Sequence, residues 1–122
     1  MNFAHIGLAV RDIKKSKEFY SKVLLPLQLS VYREKADSVH FGTGNGRTLF
    51  YIHTRSKAPG PVHIAFEADS RDEVGQFYKA AIIAGGKDNG TPGIRENYAP
   101  NYYAAFVLDP DGNNIEAICR TE

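Results

Sequence analysis

The chain has 122 residues, 43% hydrophobic and 24% charged, with a formal net charge of +1. That is the make-up of an ordinary globular protein, with no electrostatic reason to expect nucleic acid or an anionic membrane surface as a partner. No apolar run approaches the ~20 residues that a membrane span requires, the N-terminus carries no apolar leader, and the single Cys119 has no internal disulfide partner, as expected in the reducing cytoplasm.

Phe3 to Val10 is apolar and β-prone and reads as a strand, with His5, Gly7 and Ala9 on one face and Ile6, Leu8 and Val10 on the other. Asp12 is placed to cap a helix in which Ile13, Phe19, Tyr20, Val23 and Leu24 recur at helical spacing, and Pro26 ends it. Strands are expected at Leu27 to Arg33, Ser38 to Phe41 and Thr48 to Thr54, with Gly42 to Gly46 turning between the last two. The proline-broken stretch Arg55 to Pro61 suits a connection between modules. A strand at His63 follows, then Ser70-Arg71-Asp72-Glu73, which spells a capping box before a helix bearing Val74, Phe77, Tyr78, Ala81 and Ile82. Gly85-Gly86 closes that helix. Lys87 to Asn101, rich in Gly, Pro and Asn, reads as a short strand and a long loop carrying Arg95 and Tyr98. Tyr102 to Leu108 is a strand, Asp109-Pro110-Asp111-Gly112 a turn, and Asn113 to Cys119 the last strand.

The order of elements is therefore βαβββ twice, and the residues repeat as well. Val62-His63-Ile64-Ala65-Phe66-Glu67 echoes Ala4-His5-Ile6-Gly7-Leu8-Ala9 at a step of 63 − 5 = 58, and Phe19-Tyr20 maps onto Phe77-Tyr78 at the same step, 77 − 19 = 58. We expect an α+β fold: one domain built from module 1 (residues 1–57) and module 2 (residues 58–122), since halves of this size are marginal alone.

The repeat makes His5 and His63 equivalent, and Glu116 lies in an otherwise apolar strand between Ile115 and Ala117, where an unpartnered carboxylate is costly. Two imidazoles and a carboxylate form a ligand set for a divalent metal with open positions. Singly, each also fits a structural role, as a hydrogen-bonded strand histidine or a glutamate that faces solvent or pairs with Arg120 or Arg95.

His5 to Asp12, the paired Phe-Tyr helices, Val62 to Phe66, and Phe106-Val107-Leu108-Asp109-Pro110-Asp111-Gly112-Asn113-Asn114-Ile115-Glu116 together resemble the vicinal oxygen chelate superfamily. This group includes glyoxalase I, extradiol dioxygenases, fosfomycin-resistance thiol transferases and bleomycin-binding proteins. The resemblance implies that the two modules curl as a curved mixed sheet into a cup around one divalent metal ion (Fe, Mn, Ni or Zn), usually in a homodimer. It implies His5, His63 and Glu116 as the metal ligands, and a small oxygen-rich substrate held by adjacent oxygens. Residues 47 to 66 contain no Asp or Glu, so the carboxylate that glyoxalase I supplies from module 1 is missing, and Tyr51 occupies or neighbours its place. That departure counts against a literal lactoylglutathione lyase and leaves lyase-like and dioxygenase-like chemistry open. Glu116 and Tyr51 are the catalytic candidates, and Tyr51, Arg95, Tyr98, Tyr102 and Tyr103 the candidates for lining the cup. His53 shares a strand face with Tyr51 as a substitute ligand or a rim residue, while His40 reads as structural or exposed. Gly7 stands where the thiol transferases carry a hydroxyl residue. The alternatives to an enzyme of this kind are a binding or resistance protein, a thiol transferase included, and an interaction module on the same fold.

Overall fold

Each half of the computed structural model, which describes residues 1 and 3–121, is organised by a helix that the expected side chain caps. In α1 (Ile13–Val23) Asp12 Oδ1 accepts the Lys15 amide at 3.1 Å, while Phe19, Tyr20 and Val23 turn inward and the lysines face water. Pro26 does not stop the chain dead but sits within a single 3-10 turn, Leu25–Leu27. In α2 (Arg71–Ile83) Ser70 Oγ accepts the Glu73 amide at 3.1 Å. The return arm of the capping box is displaced by one residue, because Glu73 Oε1 accepts the Asp69 amide, at 2.8 Å, rather than that of Ser70. Gly85, at φ +95°, lets the chain turn away so that the Gly86 amide closes on the Ala81 carbonyl at 2.8 Å.

The first sheet contains β1 (Ile6–Ala9), β2 (Ser30–Lys35), β3 (Ser38–Gly42) and β4 (Phe50–His53) in the order β1-β4-β3-β2, with β1 parallel to β4. The second contains β5 (His63–Glu67), β6 (Lys87–Ile94), β7 (Tyr103–Leu108) and β8 (Asn114–Cys119) in the equivalent order β5-β8-β7-β6, with β5 parallel to β8. Both sheets are mixed and open, so the two βαβββ halves are alike in topology. They are also alike in register. Gly7 stands opposite Tyr51 and Ala65 opposite Glu116, and 65 − 7 = 58, the step of the sequence repeat. In the next strand over, His40 pairs with Tyr51 and Phe106 with Glu116.

One apolar cluster joins the halves, drawing Phe19, Phe41 and Ile52 from the first and Phe77, Val107 and Ile115 from the second. Each such side chain contributes roughly 1.5–3 kcal/mol by leaving water. Phe50 meets Phe66 edge to face at 5.3 Å, a direct contact between the halves.

Two elements differ from expectation in ways that matter for the site. The strand expected from Phe3 begins only at Ile6, which leaves His5 in the irregular segment ahead of β1. The stretch expected to be mostly loop holds an eight-residue strand, β6, through Gly90, Pro92 and Gly93. β6 tolerates them because it is an edge strand whose pairing with β7 shifts between Asp88 and Gly90 and again between Gly90 and Gly93. Among the described residues no helix is long and apolar enough to cross a membrane.

Candidate functional site

The turn between β7 and β8 sets the position of the site. Asp109 is its hub: Oδ1 accepts the amides of Asp111 (2.9 Å) and Asn113 (2.8 Å), and Oδ2 accepts Asn113 Nδ2 (2.9 Å) and the Tyr20 hydroxyl of α1 (2.5 Å). Gly112, at φ +86°, takes a backbone conformation that other residues rarely adopt. Asn113 then reaches across to β5, its Oδ1 accepting the Val62 amide at 3.0 Å, and the Asn114 amide donates to the Val62 carbonyl at 2.9 Å. These bonds pin the start of β5 beside the start of β8, pairing His63 with Asn114 and Ala65 with Glu116. His63 and Glu116 thereby share one face, two positions apart on neighbouring parallel strands.

His63 Nδ1 lies 2.9 Å from the Asn114 carbonyl, which can only accept, so Nδ1 carries a hydrogen. Nε2 lies 3.0 Å from Glu116 Oε1. In the neutral ring that nitrogen presents a lone pair to a carboxylate oxygen, an arrangement that is favourable only with a proton or another cation between the two. The Glu116 side chain is 3% exposed and that of His63 49%, so one member of the pair is desolvated and the other is open to a ligand. The other carboxylate oxygen, Oε2, accepts the Tyr102 hydroxyl at 2.5 Å. Burial, the bond to Glu116 and the charge of Glu116 push the Tyr102 phenol up to about 12. Phe106 stacks against the His63 ring at 6.3 Å, and the Arg95 guanidinium covers Phe106 at 5.4 Å while bonded to the carbonyls of Gly93 (2.9 Å) and Thr91 (2.7 Å). Tyr98, largely exposed, meets Tyr102 edge-on at 5.1 Å.

His5, just ahead of β1, and Tyr51 of β4 belong to a different cluster, in the first half. Their rings are 5.9 Å apart, and Tyr51 is also stacked on His40 (5.0 Å, 14° between planes), close to His53 (5.5 Å), with Arg55 over its face (5.7 Å). The Tyr51 ring lies directly over Gly7, where an added Cβ would fall 2.3 Å from Cζ, so a larger residue at position 7 would displace it. Burial, then the charges of Arg33, Lys35, Arg55 and His5, holds the His40 imidazole below its ordinary range. His53 is lowered by burial and Arg55, with Asp37 opposing.

The chain thus brings together His63, Glu116, Tyr102, Phe106, Arg95 and Tyr98, and it groups His5 with Tyr51. Among the described residues no three or more His, Cys, Asp or Glu side chains stand close enough to hold a metal ion together. Tyr103 is corrected out of the group. Strand alternation turns it to the opposite face of β7 from Phe106, where its ring lies under the Arg71 guanidinium at 5.1 Å. Sequence reasoning passed over three contributors. His40 reads as structural or exposed although its pairing with Tyr51 follows from the β3–β4 hairpin, Asn113 reads only as the first residue of the last strand although its side chain bonds the Val62 amide, and the Asn114 carbonyl leaves no sequence signal at all.

The family model of the Glyoxalase/Bleomycin resistance protein/Dioxygenase superfamily matches residues 2–117 of the chain. A glyoxalase/bleomycin resistance protein from Albidiferax ferrireducens T118 is 29% identical and superposes with a TM-score of 0.81 over 98% of each chain. A glyoxalase/bleomycin resistance protein/dioxygenase family enzyme from Burkholderia phytofirmans PsJN shares 16% identity at a TM-score of 0.73, covering 97% of this chain and 98% of that one. Lactoylglutathione lyase from Agrobacterium tumefaciens shares 21% at 0.69, covering 97% and 92%. The last two are likenesses of fold alone. No curated protein matches the chain.

Proposed function

Since the chain belongs to the Glyoxalase/Bleomycin resistance protein/Dioxygenase superfamily, we propose that it is a cytoplasmic, divalent-metal-dependent enzyme that chelates a small oxygen-rich substrate, with lyase-like or dioxygenase-like chemistry. The observation that carries this reading is the His63–Glu116 pair: an imidazole Nε2 held 3.0 Å from a buried carboxylate oxygen, with Nδ1 already committed to a carbonyl. A borderline nitrogen beside a hard anionic oxygen is a donor set that suits Fe(II), Mn(II), Ni(II) or Zn(II). His63 and Glu116 would hold the ion, with His5 as third ligand from a second copy of the chain, because His5 sits with Tyr51 in its own chain. When bound, such an ion supplies Lewis-acid stabilisation of charge developing on substrate oxygen.

The chain's own residues account for the rest. Tyr102 keeps its proton well above neutral pH and, by holding Oε2, leaves Oε1 as the oxygen turned to His63. The Asn114 carbonyl fixes the His63 tautomer, a second-sphere contact of the kind that orients ligand histidines. Phe106 and Arg95 wall one side against bulk water, and Tyr98 stands at the rim. Tyr51 is the residue we assign to the substrate from the first half, as a hydrogen-bond donor or acid-base group.

The test is elemental analysis of protein purified anaerobically and reconstituted in turn with Fe(II), Mn(II), Ni(II) and Zn(II), beside His63→Ala and Glu116→Ala. About one ion per chain, lost in both variants, supports the reading; equal metal content in all three, or none, sinks it. A second reading, a binding or resistance protein without turnover, is favoured by Tyr51 standing in the register position of a carboxylate. Metal-dependent conversion of any bound ligand would exclude it.

A further inference from the structure

A cavity of about 630 Å³ opens between the two halves, lined by β1 and β4 of the first, β5 and the first turn of α2 of the second, and the segment after α1. Its floor is apolar, made of Ile6, Leu27, Leu29, Phe50, Ile64 and Phe66. Around the same opening Phe3, Ile6 and Leu49 remain 81%, 38% and 38% exposed, so large apolar side chains are held at water there without burial to offset them.

One end of this cavity is acidic. Glu67, Asp69 and Glu73 line it, and among the described residues no Lys, Arg or His does. Gln28, whose backbone is in the left-handed region at φ +67°, places its amide nitrogen 2.9 Å from both Asp69 Oδ2 and Glu73 Oε2. Two carboxylates therefore converge on one atom, and that atom belongs to a neutral group. Glu67 lies 3.6 Å from Arg120, which offsets part of its charge; among the described residues Asp69 and Glu73 form no ion pair.

We propose that this cavity binds a lipophilic organic cation, an amine or onium group carried on an apolar body. The volume is that of a site for a drug-sized molecule, and apolar lining with a few convergent polar groups is the usual make-up of such a site. The apolar floor offers nothing to a hydrated inorganic ion, and the unbalanced carboxylates repel an anion of the same shape. None of His5, Tyr51, His63, Tyr102 and Glu116 lines the cavity, so the inference does not rest on the metal site.

Tetraphenylphosphonium and tetraphenylborate, nearly isosteric and opposite in charge, are the probes. Titration calorimetry of the full chain should give about one phosphonium per chain, with the borate at least tenfold weaker. Asp69→Asn and Glu73→Gln should each weaken the cation at least threefold; both keep an acceptor oxygen, and agreement between them guards against a folding defect in either. Equal affinity for the two probes overturns the proposal, as do variants that bind like the wild type. So does the absence of phosphonium binding, whether the chain then sediments as a monomer or as a dimer whose second copy covers the opening.

Discussion

Tyr51 and Glu116 hold the same place in the two halves of the molecule, one opposite Gly7 on β1 and the other opposite Ala65 on β5, with His5 and His63 as their respective repeat-related neighbours. The second half carries an imidazole-carboxylate pair at this place and the first an imidazole-phenol pair. Tyr51→Glu should convert the first into the likeness of the second. The expected outcome is tighter Ni(II) or Zn(II) binding by roughly tenfold or more, about 1.4 kcal/mol, measured by competition with a chromophoric chelator. Unchanged affinity would mean that His5 and position 51 do not border the metal.

The bond between Tyr102 and Glu116 has a stability signature of its own. Tyr102→Phe leaves Glu116 Oε2 without its hydroxyl donor in a buried setting, at a cost of about 1.5 kcal/mol, the low end of the charge-assisted range because the phenol is only half-buried. Since Tyr102 is raised to about 12 in the folded protein, against about 10 unfolded, its contribution is fully present below pH ~10 and lost as pH rises towards 12. Urea unfolding should therefore show a constant gap between wild type and variant up to about pH 10 that narrows beyond it. An absorbance titration of the phenols should lose one late-titrating group in the variant.

At the acid end the first-half histidines set the direction. His40 and His53 are both lowered, mainly by burial, so the unfolded chain binds more protons than the folded one as pH drops through about 6.5. Their contribution is present above that pH and is lost as pH falls through the folded-state values. Melting temperature should fall between pH 7 and 5, and His40→Gln should flatten part of that slope. A variant whose slope matches the wild type would show that His40 is not held neutral by the fold.

How much of this was legible in the sequence depended on whether periodicity or long-range closure decided the feature. The 58-residue step, the Asp12 and Ser70 caps and the βαβββ order are local patterns repeated twice, and the structure follows them. The pairing of His63 with Glu116 could be anticipated only by assuming that the β5 and β8 strands lie side by side; what fixes it is a set of bonds from Asn113 and Asn114 to Val62 and His63, across more than 50 residues of sequence. Tyr103 misled because alternation depends on where a strand begins. β7 begins at Tyr103, and Tyr102, one residue earlier, faces the site. β6 misled because glycine and proline argue against a strand in the middle of a sheet but not at its edge.

His5 poses the last question, since among the described residues it packs on Tyr51 and does not gather with His63 and Glu116, which is where sequence symmetry and single-chain geometry part. If a second copy supplies it, two variants that each lack metal should rescue one another when mixed. In a heterodimer of His5→Ala and His63→Ala chains, one site loses both residues and the other keeps both. With random exchange half the dimers are mixed and each holds one intact site, so about a quarter of wild-type metal content should return. The mixture is unfolded gently, refolded together and scored by elemental analysis beside each variant alone. Recovery near that fraction establishes a site shared between chains. No recovery, with mixed dimers verified by mass spectrometry, means that His5 does not complete the site across the dimer, and the third position on the metal then belongs to another residue or to substrate.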